Sequence, residues 1–248
     1  MIEDSRGTSK MIKHVFAGFL SDVNQIEAER WYFRFHSREV VRYVGPWLRR
    51  YETYRLYSPP PDSERFGTRN GYLTELWYDS IAAFLEADAN GRAYTRLTLT
   101  QTDIRPRPPA ITMVSARPTE DFLGKEPFPE EKTILRWYCV FKYPDGIATA
   151  DGEKWYLEVH SQEVKQQPGL LRYVSHRAVE DPPFPTPWVR VSELWYEDFD
   201  SWRRANVESP PQYTSPPWDR ADPFVDMVSV FAKYKPDVDF LRDNPLVP

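Results

Sequence analysis

A single cysteine, Cys139, stands among 248 residues, so the chain can form neither an internal disulfide nor a metal site built on paired thiolates. It sits in an apolar run, where a buried structural thiol is expected. No stretch approaches the roughly 18 consecutive apolar residues of a membrane-spanning helix, and residues 1–10 are polar where a secretory leader would be apolar. A cytoplasmic protein that engages no membrane is the expectation. Basic residues are outnumbered, 32 Lys and Arg against 37 Asp and Glu, for a net charge of -5. That balance offers no general attraction for a phosphate backbone and argues against nucleic acid as a partner. The GxGxxG, GxxxxGKS/T and GxSxG patterns are missing too, which removes the simple nucleotide-binding and acyl-hydrolase readings.

Proline and aromatic residues are plentiful: 24 prolines and 15% Phe, Trp and Tyr. The prolines cluster at 59–61, 106–109, 182–187 and 210–217, and the clusters follow an internal repeat. "ERWYFRFHSREV" at 29–40 returns as "EKWYLEVHSQEV" at 153–164, "RYETYR" at 50–55 as "RYVSHR" at 172–177, and "TELWYDS" at 74–80 as "SELWYED" at 192–198. "MVS" occurs at 113–115 and 227–229, and "RPTEDFLGKEP" at 117–127 resembles "KPDVDFLRDNP" at 235–245. The order is kept throughout, with each proline cluster in an equivalent loop. Two copies, 1–127 and 128–248, are therefore expected.

Within each copy the pattern reads strand, helix, strand, strand, helix, strand. The apolar and β-branched runs at 14–20 and 135–141 open the copies as strands. A helix follows, with Asp22 and Gln25 expected to cap it in the first copy and Asp151 in the second. At helical spacing Ala28, Trp31, Tyr32, Phe35, His36 and Glu39 share one face, as do Trp155, Tyr156, Val159, His160 and Glu163. A strand, the Glu-Leu-Trp-Tyr strand, a short helix at 79–87 or 197–206 and the MVS strand complete the order. This is the α+β ferredoxin-like unit. Right-handed crossovers put both helices on one sheet face. The other face, rich in Trp and Tyr, must be covered, so the two antiparallel sheets are expected to pack face to face as an intramolecular α+β barrel.

The aromatic pair followed by histidine on the first helix (Trp31, Tyr32, His36; Trp155, Tyr156, His160) and the Glu-aromatic strand (Glu75 to Tyr78; Glu193 to Tyr196) resemble EthD-like proteins of the dimeric α+β barrel superfamily. The resemblance covers nearly the whole chain. It departs after the histidine, where a small residue and proline are usual and Ser-Arg-Glu or Ser-Gln-Glu stands here. It implies cofactor-free dehydratase, isomerase or oxygenase chemistry on small aromatic or polyketide-type molecules, with haem-binding relatives also known.

Histidine is suited to proton transfer near neutral pH, and all four, His14, His36, His160 and His176, fall inside repeated elements. For His36 and His160 the bland alternative is a pair with Glu39 or Glu163 one turn on. Strand alternation puts Glu75 with Trp77, and Glu193 with Trp195, on the interior face. There an apolar setting would raise the carboxyl pKa, unless an ion pair with Arg136 or Arg177 lowers it. Tyr54 aligns with His176, and His14 is aligned with Arg136. The expected catalytic set is His160, His176, Glu193, His36, Tyr54 and Glu75. His14, Arg136, Tyr138, Trp77, Trp195 and Arg177 are expected to bind substrate, with the second copy favoured. No metal and no cofactor are called for, although His-x-x-Glu could hold a divalent ion and one histidine a haem. The first expectation is a lyase or isomerase; a cofactor-free monooxygenase and a non-catalytic ligand-binding or stress-response module are the alternatives. A homodimer of the fused chain stays open.

Overall fold

The computed structural model describes residues 11–94, 108–124, 134–218 and 224–243. The first copy runs β1 (Ile12–Phe19), α1 (Gln25–Trp31), a π-helical turn (Tyr32–His36), α2 (Ser37–Val44), β2 (Leu48–Arg55), β3 (Thr68–Arg69), β4 (Tyr72–Tyr78), α3 (Ile81–Tyr94), β5 (Ala110–Ser115) and β6 (Glu120–Asp121). The second runs β7 (Leu135–Lys142), α4 (Thr149–Trp155), a π turn (Tyr156–His160), α5 (Ser161–Val164), β8 (Arg172–Arg177), β9 (Arg190–Tyr196), α6 (Phe199–Arg203), a further π turn (Arg204–Glu208), β10 (Val225–Lys233) and β11 (Val238–Asp239). The protein is thus α+β, two ferredoxin-like repeats in tandem. The expected division at 127/128 lies outside the described residues, as do residues 1–10 and parts of the 106–109 and 117–127 segments. Among the described residues no helix is long and apolar enough to cross a membrane.

The sheets have orders β11-β2-β4-β1-β5 and β3-β10-β7-β9-β8-β6. Each tail strand crosses to the other copy: β6 pairs with β8, and β11 with β2. The loop before β3 crosses as well. Its 3-10 turn Pro61–Phe66 ends at Gly67 with φ +63, and a Cβ there would lie 1.8 Å from the Met227 carbonyl. Only glycine lets this arm lie against β10.

Between the sheets sits an apolar layer from both copies, with Val15, Ala17, Leu73 and Val114 against Val140, Val191, Val228 and Val230. The outer face of each sheet is covered by its own helices, with Leu76 and Tyr78 in one helix-side core and Leu194 and Tyr196 in the other. Because both faces are buried, all seven residues of β9 are inaccessible, and its sequence loses the clean polar alternation of a one-sided strand.

Tyrosine pins each first helix to its sheet. The Tyr32 hydroxyl meets Thr53 Oγ1 at 2.7 Å and Thr74 Oγ1 at 3.0 Å, and accepts from Tyr51 at 3.2 Å. Tyr156 repeats this with Tyr173 and Ser192, both at 2.8 Å. The helix starts differ from expectation. Asn24, not Asp22, caps α1 by accepting from the Ile26 and Glu27 amides. α4 begins after Ala148 with no side-chain cap, leaving Asp151 in its first turn. Gly152 is required inside α4 because a Cβ would lie 2.4 Å from the Tyr143 ring.

Candidate active site

The second sheet divides the residues that the sequence grouped together. Along β9, Glu193 and Trp195 face the space between the sheets, while Ser192 and Leu194 face the helices and line a different cavity. His176, Glu193 and Arg136 therefore lie on one side and His160 on the other. The expected composite site of His160 with His176 and Glu193 does not form.

The inter-sheet space holds a buried ionic cluster. Lys13 Nζ lies 3.2 Å from Glu75 Oε1 and 3.7 Å from Glu193 Oε1, Arg136 reaches Glu193 Oε2 at 3.1 Å, and His176 Nε2 lies 3.4 Å from Glu193 Oε1. The other ring nitrogen of His176 is 2.9 Å from the Ser115 carbonyl of the first copy. The Trp195 indole donates to Glu193 Oε2 at 3.2 Å. Burial opposes charge on Glu193, but the Arg136 guanidinium, the His176 contact and Lys13 together hold its carboxyl well below the usual range. Of the two readings open for this carboxyl, the ion pair with Arg136 holds and the raised pKa does not, because the pair outweighs desolvation. Tyr54 and Tyr138 are both held protonated, first by burial and then by the negative charge of Glu75. Tyr54 donates to Glu52 Oε2 at 3.3 Å and lies under the Arg136 guanidinium at 4.9 Å, whereas the buried Tyr138 hydroxyl has no partner among the described residues. A cleft of about 590 Å³ opens from this cluster, past Trp77 and Trp195.

The register corrects one alignment. Lys13 pairs opposite Trp77 and Arg136 opposite Trp195, while His14 and Trp137 pair opposite Leu76 and Leu194. The counterpart of Arg136 is therefore Lys13, and His14 is displaced by one residue to the opposite face. There it packs among Phe16, Phe84 and Phe184, and burial drives its pKa down to about 3. The other expected alignment appears in the register: Tyr54 lies opposite Leu73 as His176 lies opposite Val191. Arg177, expected near the interior carboxylates, turns to the helix side, half-exposed and 3.7 Å from Glu153.

The helix side of the second sheet carries a larger and more apolar cavity, about 720 Å³. His160 lines it. Trp155 and His160 are five residues apart, about 140° around an ideal α-helix. The π turn Tyr156–His160 widens the helix locally to bring i and i+5 together, and the two rings lie 5.0 Å apart at 29°. Trp31 and His36 do the same at 4.6 Å and 24°. The apolar stripe read at α-helical spacing is thus broken in both copies, and Phe35 is left half-exposed. In the second copy the anticipated pairing of His160 with Glu163 gives way as well. Glu163 accepts instead from the Thr214 amide at 3.0 Å and from its hydroxyl at 2.5 Å.

Those bonds hold the proline-rich strap at 210–216 over the cavity. Tyr213 from the strap stacks against His160 at 5.7 Å, and Phe224 meets the same imidazole edge-on at 5.2 Å. Burial lowers the His160 pKa to about 4, against a raising influence from Glu163. The ring is neutral at pH 7, and its buried Nδ1 has no hydrogen-bond partner among the described residues. His36 is likewise lowered to about 4 by burial. At the cavity floor Gln167 donates to Asn206 Oδ1 at 3.0 Å and to Tyr213 at 2.7 Å, Asn206 donates to Tyr196 at 3.1 Å, and Tyr196 donates back to Gln167. The first copy contributes Phe66, whose ring meets Trp137 at 5.1 Å.

Phe66, Trp137, Gln167, Asn206 and Tyr213 escaped the sequence reading. Their shared signal was weak, since Phe66 and Tyr213 sit in or beside proline clusters that read as connections.

The family model of the chalcone isomerase N-terminal domain matches residues 10–101, the first repeat. No curated protein matches the chain. Among solved structures, an anthrone oxidase-like protein superposes with a TM-score of 0.56 at 11% identity, over 92% of both chains, and it shares the fold of this protein. A chlorite dismutase variant from Candidatus Nitrospira defluvii superposes with a TM-score of 0.47 at 11% identity over 90% of each chain. An EthD family protein from Bacillus halodurans matches 30% of this chain and 72% of its own, with a TM-score of 0.27 at 19% identity.

Proposed function

We propose that this protein is an EthD-like enzyme that moves a proton on a small aromatic or polyketide-type molecule bound between helix and sheet of the second repeat, as a cofactor-independent isomerase or dehydratase. The observation that carries this reading is the His160 imidazole. It is neutral, lines an aromatic cavity of about 720 Å³, and has a buried nitrogen with no partner among the described residues. Such a cavity suits a ligand of drug-like size. A base whose empty-site pKa is about 4 is weak in isolation. An acidic phenol or doubly activated C–H changes this, because proton transfer creates an imidazolium beside an enolate or phenolate, and each charge stabilises the other where water is excluded. Trp155 and Tyr213 fix the orientation of the imidazole, and Gln167 and Asn206, tied to Tyr196, supply the polar part of the cavity lining.

The model matched by residues 10–101 is described as a chalcone isomerase domain, which is the reason to keep isomerisation in the reading; the match covers the first repeat and does not reach His160. The rival is a cofactor-free monooxygenase in which the same carbanion meets dioxygen, and the anthrone oxidase-like fold relative is the reason to keep it. In either case His160 begins the reaction. His176, Glu193, Glu75 and Tyr54, expected as catalytic, act in this reading as the ionic joint between the repeats.

Turnover of a co-purified or screened aromatic substrate, compared for wild type, His160→Ala and His176→Ala with and without dioxygen, tests the proposal. Loss of about 10²- to 10⁴-fold in kcat on replacing His160 is expected. Full activity without His160 would sink the reading, and oxygen dependence would move it to the monooxygenase.

A further inference from the structure

Two indole N–H groups on the wall of the same cavity have no acceptor among the described residues. Trp137 on β7 and Trp155 at the end of α4 are each 6% exposed, both line the cavity, and Nε1 of each is buried without a partner. An indole nitrogen can only donate. A buried donor with no acceptor is destabilising, and native interiors avoid it unless a water or ligand completes the bond. The neighbouring polar groups cannot help, because Gln167, Asn206, Tyr196 and Tyr213 satisfy one another. Trp202 and Trp218 also carry unpaired indole nitrogens, but neither lines the cavity. Apolar Cys139, Phe141, Val164 and Leu194 line the same cavity, the hydroxyls of Tyr156, Tyr173 and Ser192 there bond one another, and the lining residues Glu64, Arg65 and Asp226 are exposed.

We infer that Trp137 and Trp155 are specificity determinants that read oxygens on the edge of a planar ligand, each indole N–H donating to a carbonyl or phenolate oxygen. The inference rests on the reading of this cavity as the substrate site. It narrows the ligand to an oxygen-bearing ring system: a bare hydrocarbon of the same shape leaves both donors unpaired. Phe66 of the first repeat packs on Trp137 at 5.1 Å, and His160 stacks on Trp155 at 5.0 Å, so both indoles are held in fixed orientation.

Equilibrium dialysis of 9-fluorenone against fluorene, the same three-ring plane with and without a carbonyl, tests this on the full-length protein. The wild type should bind the ketone about tenfold more tightly, the selectivity one net hydrogen bond confers. Trp155→Phe or Trp137→Phe should bring that ratio toward one, even if loss of packing weakens both ligands. A wild-type ratio near one, a ratio retained in both variants, or no binding of either probe would overturn the inference. The wild-type ratio needs no variant, so misfolding of Trp137→Phe leaves the test intact. Dialysis reads no turnover, so the two readings fail separately. A His160→Ala enzyme that still turns substrate over sinks the proton-transfer proposal and leaves the ratio standing.

Discussion

Lys13 and Arg136 occupy one and the same register position in the two repeats, the first opposite Trp77 and the second opposite Trp195. They bring two cations to two carboxylates, Glu75 and Glu193, in the space where the sheets meet. Charges buried this deeply are tolerated only because each is compensated.

Removing one member should therefore cost far more than removing a pair. Lys13→Met is expected to lower stability by about 3–5 kcal/mol, the usual cost of an orphaned buried charge. The double variant Lys13→Met with Glu75→Gln should regain part of that loss. Urea denaturation of the single and double variants checks the coupling, and simple additivity would contradict it.

Neutral histidines half-buried among aromatic rings make the protein acid-sensitive. His14, His36 and His160 have pKa values lowered by burial to about 3, 4 and 4, against about 6.5 in an unfolded chain. Between those values the unfolded state binds more protons than the native one, so stability rises with pH. The contribution is complete above about pH 6.5 and is lost as pH falls toward 4. Melting temperature measured across this range should decline, with a shallower slope in His14→Phe.

The carboxyl of Glu193 acts in a lower window. Its native pKa lies well below the ordinary value, so its stabilising effect is present at neutral pH and disappears only once acid protonates it below about pH 4. Glu193→Gln should be less stable than wild type at pH 7 and should narrow the difference at pH 3. An equal deficit at both values would show that packing, not charge, dominates.

Glu163 fastens the strap at 210–216 through Thr214. Glu163→Ala should raise amide hydrogen exchange and limited proteolysis in that segment and weaken ligand binding, while the melting temperature changes little. Unaltered exchange at 213–215 would mean that the prolines alone hold it.

The hydroxyls that dock the first helices offer a test of the repeat itself. Tyr156→Phe removes the shared partner of Tyr173 and Ser192, and Tyr32→Phe removes that of Tyr51, Thr53 and Thr74. Each should cost about 1–3 kcal/mol by leaving buried hydroxyls short of a partner. Denaturant midpoints of the two variants should fall together.

Repetition carried most of the architecture. Two copies of the Trp-Tyr helix and the Glu-Leu-Trp-Tyr strand were enough to establish the β-α-β-β-α-β unit, its duplication, and the inward direction of Glu75 and Glu193, because strand period and crossover handedness are local rules. His14 shows where local pattern stops. Its sequence neighbours allow an alignment with Arg136, but only hydrogen-bonded register decides between adjacent residues, and that single step carries the imidazole through the sheet. His160 shows the same limit for helices. The π turn that lays it on Trp155 has no simple sequence period, and its cavity is closed by Phe66 and Tyr213, residues far away along the chain. Covalent order and side-chain periodicity thus determined the main elements and their order within each repeat. Tertiary packing decided which groups share a compartment, because burial, charge compensation and the crossing of arms between repeats depend on neighbours that lie distant in sequence.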